Sequence, residues 1–227
     1  MDFKADFTQK RITNQGVGIH VRIAGSGFPI LLLHGYPQTG YMWHKVAPLL
    51  ARDFSVVIAD LRGYGDSDKP KTDQNHSPYS KRSMAEDMRE VMGKLGYKTF
   101  AVAGHDRGGR VAHRMARDYP DTITHVALLD IVPTLAMYET TDKKFATSYY
   151  HWFFLIQPSP FPETLIKRDP EFFLKHKTNH WGRTAGAITD EAFSEYLRCF
   201  SDPVSYTHLR AHETREELVC RLLREKK

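Results

Sequence analysis

The sequence predicts an α/β protein: a mostly parallel sheet flanked by helices, with a helical segment inserted after the strands. Three observations carry this. Short, continuous apolar runs (PILLL, FSVVIA, TFAVAG, ITHVALLD) recur between helical stretches, as strands buried on both faces do. Their strand–helix–strand alternation implies parallel pairing with helical crossovers. After Asp130 the pattern changes to aromatic-rich helical segments separated by proline, with no further buried strand.

In chain order, residues 18–24 alternate loosely and read as an outer strand. Residues 29–33 are the first buried strand and lead into His34-Gly35-Tyr36-Pro37. Residues 41–50 read as a helix and 54–59 as a second buried strand. DLRGYGDSDKP at 60–70 is a glycine-rich loop. Ser83 and Glu86 form an S-x-x-E signature that would cap a helix over about 83–95. Residues 99–104 are the third buried strand, GHDRGGR turns directly into a helix ending near Tyr119-Pro120, and 123–130 is the fourth. Three helical segments (KKFATSYYHWFFLIQ, PEFFLKHK and DEAFSEYLRCF) fill 139–200. The implied organisation is a core over 1–135, a helical cap over 136–203 and a separate tail over 204–227.

Composition narrows the function. The chain has 227 residues, 41% hydrophobic and 26% charged, with a formal net charge of +5 and basic residues interleaved with acids. That is a globular composition with a solvated surface rather than a nucleic-acid face. Two cysteines exclude a disulfide scaffold and fit a reducing compartment. No apolar run approaches the ~18 residues of a membrane span, and MDFKADFTQKRIT lacks the apolar stretch of a secretory signal. A cytoplasmic protein without membrane or nucleic-acid partners is the expectation. No spacing suggests a zinc site, and no dinucleotide or phosphate loop is present, so neither metal nor cofactor is expected. His176 and His180 read as ordinary polar residues of the cap.

The strongest chemical feature is Gly104-His105-Asp106-Arg107-Gly108-Gly109. Small residues flanking a central side chain between a strand and a helix form a nucleophile elbow, here with Asp106 at its centre. The alternative is a glycine-rich turn with Asp106 as a helix cap. In an elbow architecture the backbone amides of Tyr36 and Arg107 would form an oxyanion hole. Asp130 stands at the end of the next strand, where an acid could orient a catalytic histidine. Arg107 and Arg110 share one helix face near its N-terminus, where the dipole disfavours cations. A bound carboxylate would offset that cost in a bidentate fork; surface salt bridges are the alternative, and the expected role of Arg114 and Arg117. His151 and Trp152, in an HWFF run, read by themselves as core or cap packing rather than as a site.

GYPQ, DLRGYGDSDKP and GHDRGGR followed by a helical cap resemble the α/β-hydrolase superfamily. Within it, GHDRGGRVAHR with HWFFLIQPSPFPE resembles the fluoroacetate (haloacetate) dehalogenases, up to about Pro203. The resemblance implies that Asp106 attacks the halogen-bearing carbon to form an ester. Water would then cleave the ester, activated by a histidine base oriented by Asp130. Arg107 and Arg110 would hold the substrate carboxylate, and His151 and Trp152 the halide. A homodimer acting on a small haloacid and water is the implied assembly. An epoxide hydrolase is the alternative on the same scaffold, using Tyr149 and Tyr150; a non-enzymatic binding protein is a third reading. The family pattern also implies a histidine beyond the cap and a third halide donor, a tyrosine, and neither is found. From Val204 the tail resembles translated read-through of a transposase-based sequencing-library adapter, the alternative being a genuine amphipathic helix. On that reading Tyr206, His208 and His212 are not site residues, the last strands and helices of the sheet are missing, and the polypeptide as written is expected to be insoluble or inactive.

Overall fold

In the computed structural model, which describes residues 1–73, 76–181, 184 and 186–202, the apolar runs assemble into one six-stranded sheet. Its strands are β1 (Thr8–Asn14), β2 (Val17–Ala24), β3 (Phe28–Leu33), β4 (Phe54–Ala59), β5 (Phe100–His105) and β6 (Ile123–Leu129), in the spatial order β1-β2-β4-β3-β5-β6. β3 pairs in parallel with β4 and with β5, and β5 in parallel with β6. β1 and β2 form an antiparallel hairpin whose second strand runs antiparallel to β4. The sheet is therefore mostly parallel, as the alternation of runs and helices requires.

Register aligns the strand ends that matter. Leu33 lies opposite both Ala59 and Gly104, and His105 lies opposite Leu129. The residues that follow, His34, Asp60, Asp106 and Asp130, thus gather along one edge of the sheet. The carboxyl ends of parallel strands are where open α/β sheets place their sites. Leu31, Leu32, Leu33, Val56, Val57 and Ala59 are fully buried in the centre.

Up to β6, four elements differ from the sequence expectation; after it, KKFATSYYHWFFLIQ forms two helices rather than one, and helices over Thr134–Glu139 and Phe161–Arg168 add to the expected segments. β1 was not expected: TQKRITN carries a single large apolar residue and is largely exposed. The 41–50 segment is a 3-10 turn over Gly40–Trp43 followed by α1 (Ala47–Leu50). Pro48 explains the break, because a proline inside a continuous helix would remove one backbone bond and clash with the preceding turn. The next helix, α2 (Lys81–Lys94), starts earlier than expected, capped by Ser80, whose hydroxyl accepts from the Ser83 amide at 3.1 Å. Finally, β6 forms where expected but is not buried on both faces: among the described residues it is the sheet's edge, and Val126, Leu128 and Leu129 are 40–44% exposed.

The crossover helix α3 (Arg107–Asp118) packs on β3, β5, β6 and α2. Beyond β6 every regular element among the described residues is a helix: α4 (Thr134–Glu139), α5 (Lys143–Ser148), α6 (Tyr150–Leu155), α7 (Phe161–Arg168), α8 (Pro170–Trp181) and α9 (Asp190–Phe200). α9 returns to the core. Gln38 donates to the Tyr196 hydroxyl at 3.3 Å, Arg198 pairs with Asp66 at 3.0 Å and Lys45 donates to the Gly186 carbonyl at 2.6 Å. No described helix is long and apolar enough to cross a membrane. The tail from 204 onward, with Tyr206, His208 and His212, lies outside the described residues.

Candidate active site

The strand-to-helix turn leaves one residue, Asp106, between the end of β5 and the start of α3. Its φ of 49° and ψ of −114° are rare for a non-glycine residue; holding such a conformation costs about 1–3 kcal/mol. The flanking glycines make it attainable. A Cβ on Gly104 would stand 2.3 Å from the Gly108 carbonyl oxygen, and one on Gly108 would stand 2.5 Å from that of His34. The Asp106 side chain makes no N-cap bond to the amides further into the first turn of α3. Its Oδ1 accepts instead from the Tyr36 amide at 2.8 Å, and the Arg107 amide also bonds the carboxylate. This arrangement disfavours the helix-cap alternative. It also means the two donors read as an oxyanion hole converge on the aspartate itself.

Asp106 is partly buried, and its loss of solvent by itself would raise its pKa. The Arg107 guanidinium, the two amides and Arg110 outweigh that and hold it below the ordinary carboxylate value. It is therefore ionised at neutral pH. Arg107 is 4% exposed and lies over the Tyr64 ring, 5.9 Å from its centroid. Arg110 is 7% exposed; it donates to Thr134 Oγ1 and, at 3.5 Å, to Met137 Sδ, with its guanidinium 4.8 Å above the Trp152 ring. Arg114 pairs with Asp118 at 2.7 Å, the structural role expected of it.

A cavity of about 550 Å³ opens above Asp106, between the strand ends and the cap. Arg110, Asp130, Tyr36, His151 and Trp152 all line it, so five residues singled out from sequence meet Asp106 at one place. Arg107 is not among the described lining residues and sits beneath, against Tyr64. Tyr149 lines the cavity; Tyr150 packs behind it against His151 and His176. Asp130, at φ 51°, is exposed at the rim.

The described histidines near Asp106 have distinct states. His34 is fully buried, its Nδ1 against the Gly35 carbonyl at 3.1 Å and its Nε2 accepting from the Leu61 amide at 3.0 Å, so both nitrogens are engaged. Burial lowers its pKa. His151 is 4% exposed; burial, then the nearby Lys177 and Arg107 charges, bring it to about 3, so it is a neutral ring. His105 lines the cavity, with Nδ1 lacking a partner among the described residues.

Two features escape sequence reasoning. Lys177 is 2% exposed inside the cap, 3.5 Å above the Tyr150 ring, and burial lowers it to about 7. In PEFFLKHK it looks like any solvated helix lysine. The Tyr36 ring, known from sequence only as an amide donor, stacks against His151 at 6.2 Å and 11°. One cluster of metal-type donors, His20, Asp60 and Asp66, exists among the described residues. Its Asp60 oxygens already accept from the Gly40 amide at 2.7 Å, His20 at 2.9 Å and the Asp66 amide at 3.1 Å.

Comparison with known proteins places this geometry. Residues 29–205 match the alpha/beta hydrolase fold family. A fluoroacetate dehalogenase from Burkholderia sp. is 47% identical over 199 residues, which cover 87% of this chain and 66% of that protein. A soluble epoxide hydrolase from Corynebacterium sp. strain C12 is 36% identical over 203 residues, covering 88% of this chain and 69% of the other. A crystal structure from Nostoc sp. PCC 7120, provisionally assigned as an alpha/beta hydrolase, superimposes with a TM-score of 0.88 at 54% identity, covering 90% of this chain and 71% of that one. The chain thus spans about two thirds of the length of these curated relatives.

Proposed function

The chain belongs to the alpha/beta hydrolase family, and from that premise we propose that it carries the alkylation site of a hydrolytic dehalogenase acting on haloacetates, fluoroacetate among them. The observation that carries this reading is the Asp106 carboxylate held by the Tyr36 amide at 2.8 Å. A serine hydrolase would keep those amides for a substrate carbonyl. Here they hold an oxygen of the nucleophile, which is what an aspartyl-ester route needs.

In the first step the ionised Asp106 displaces the halide from the substrate carbon. The carbon–halogen bond breaks, the halide leaves with the electron pair, and an ester forms. Arg110, with Arg107 behind it, holds the substrate carboxylate and orients the carbon for in-line attack. His151 and Trp152 offer ring N–H groups to the departing halide. In the second step water adds to the Asp106 carbonyl carbon. The oxyanion then forms on the oxygen facing the Tyr36 and Arg107 amides, already in place before reaction. Collapse releases glycolate and restores Asp106. The base that takes the water's proton, which Asp130 would orient, is not among the described residues. A homodimer and a cytoplasmic setting complete the reading; they rest on the family resemblance and on the low cysteine count.

Epoxide hydrolysis is the second reading, favoured by Tyr149 on the cavity wall and by the Corynebacterium relative. A buried arginine in the cavity has no partner of opposite charge in an epoxide, which places the haloacetate reading ahead. Intact-mass analysis separates the two. Chloroacetate or bromoacetate should add one carboxymethyl group to Asp106 of the full chain. Asp106→Asn should remain unmodified, and Arg110→Met should slow the addition about a hundredfold. Addition of an uncharged epoxide without any reaction of haloacetates refutes the proposal.

A further inference from the structure

One buried hydroxyl in the first turn of the cap serves an arginine of the core rather than its own helix. Thr134 opens α4, is 4% exposed and is not among the described lining residues of the cavity. In the same cap, Thr140, Thr141, Thr147 and Thr178 donate to the carbonyl four residues back, a common habit of helical threonines. Thr134 has no helical turn before it to bond. Its hydroxyl oxygen instead accepts from Arg110 Nη1, the one side-chain hydrogen bond Thr134 makes among the described residues.

Three contacts orient the Arg110 guanidinium. Nη1 donates to Thr134, Nη2 donates to Met137 Sδ at 3.5 Å, and the Trp152 ring covers one face at 4.8 Å. A planar group held at both terminal nitrogens and on one face has little room to turn. The backbone is tied as well: the Arg110 amide donates to the Asp106 carbonyl at 3.2 Å, so nucleophile and guanidinium stand one turn apart on one helix. Gly109 lets the segment leading to Thr134 come this close, since a Cβ there would stand 2.9 Å from Ile131 Cδ1. The three supports are neutral, so they orient the charge without cancelling it. Arg110, Met137 and Trp152 line the cavity together with Asp106, so the direction in which Thr134 holds the fork is felt inside it.

We propose that Thr134 is a positioning residue: by accepting from Arg110 it sets the rotation of the guanidinium fork, and with it the preference of the site for anionic over uncharged haloacetyl compounds. The proposal rests on the haloacetate reading above. Thr134 acts only through Arg110 and is not a catalytic group. A carboxylate offers two oxygens, and both must meet aligned N–H groups of the fork. An amide of the same size offers one oxygen and a donor nitrogen, and loses little when the fork turns. Removing the Thr134 acceptor therefore weakens capture of the acid and leaves the displacement step itself in place.

The test is Thr134→Val in the full chain, with alkylation of Asp106 by chloroacetate and by chloroacetamide followed by intact mass over a range of concentrations, and Asp106→Asn marking the background. The half-saturating chloroacetate concentration should rise about tenfold, while the limiting rate and the chloroacetamide rate change less than about threefold. Thr134→Ser, which keeps the acceptor, should return the chloroacetate value to within about threefold of the parent. Both reagents are compared on the same variant, so a loss of folded protein lowers both rates and leaves their ratio alone. Should Thr134→Val fail to fold, Thr134→Ala carries the same expectation. An unchanged ratio of the two reagents in the variants overturns the proposal, as does a Thr134→Ser variant as impaired as Thr134→Val. If the parent itself does not prefer chloroacetate to chloroacetamide, the haloacetate reading fails and takes this proposal with it; a parental preference that survives Thr134→Val removes this proposal alone.

Discussion

Replacing Gly35 by alanine is the sharpest probe of how Asp106 is held. A Cβ built on Gly35 lies 2.4 Å from Asp106 Cβ, 2.6 Å from its Oδ1 and 2.9 Å from its Cγ. Ordinary contact begins near 3.4 Å, so the aspartate side chain must retreat by about 1 Å. A shift of that size takes Oδ1 from 2.8 Å to roughly 3.8 Å from the Tyr36 amide, beyond hydrogen bonding. A misplacement of about 1 Å in reacting geometry costs on the order of a hundredfold in rate. Loss of a hydrogen bond to a charged acceptor, about 1.5–3 kcal/mol, gives a similar factor independently. The assay is the rate of Asp106 alkylation by bromoacetate, read by intact mass, beside thermal unfolding. Gly93→Ala is the control: it sits in α2 with nothing within 4 Å of the added Cβ. It should stabilise the protein by about 0.5–1 kcal/mol and leave alkylation unchanged. If Gly35→Ala alkylates within about threefold of the parent, the carboxylate is not held as described.

Other consequences follow from the charges. Asp60 is buried, which would raise its pKa, but the His20 hydrogen bond, the electrostatics of the adjoining His34 and His20 rings and the Gly40 amide bring it to about 2. A carboxylate depressed in the folded state stabilises above its unfolded pKa and loses that stabilisation as pH falls through the folded one. Asp60→Asn should therefore cost about 2 kcal/mol at pH 7 by urea denaturation, with the difference shrinking between pH 4 and 2. Lys177 runs the other way: a folded pKa of about 7 against an ordinary 10.5 means that the folded state resists its charge. Parent stability should rise between pH 7 and 10. Lys177→Met should be the more stable protein below pH 7, by about 2–4 kcal/mol, and lose that lead above pH 10. Arg62 and Asp87 form a buried pair at 2.5 and 2.6 Å that ties the 60–70 loop to α2. Asp87→Ala should cost about 3–5 kcal/mol in chemical denaturation, because it leaves a buried guanidinium without its charge partner.

The strands at the centre of the sheet were legible because burial on both faces leaves no room for polar residues: β3, β4 and β5 read as unbroken apolar runs. β1 escaped because its stability comes from pairing with β2, not from its own side chains. The signal available was Asn14-Gln15-Gly16, where φ is 46° at Gln15 and 81° at Gly16, a hairpin turn closing on a partner strand. The capping error had a similar origin. Ser80 and Ser83 both precede a helical run, and only the three-dimensional bond from the Ser83 amide to Ser80 decides between them.

The site divides the same way. Asp106 was legible because an elbow is a local device: glycines must occur within a few residues of the nucleophile, and the chain writes them in order. The electrostatic state of the site was not. His151 and Lys177 carry shifted pKa values because the cap folds over them, bringing together α6 and α8, which are fourteen residues apart in the chain. No local pattern encodes that enclosure. Tyr36 shows both cases in one residue. Its amide belongs to the turn after β3 and follows from the strand's end, whereas its ring meets the His151 ring only because a distant helix lays it there. Chemistry carried by the backbone turn can be read from sequence; chemistry that depends on the exclusion of water requires knowing what closes the cavity.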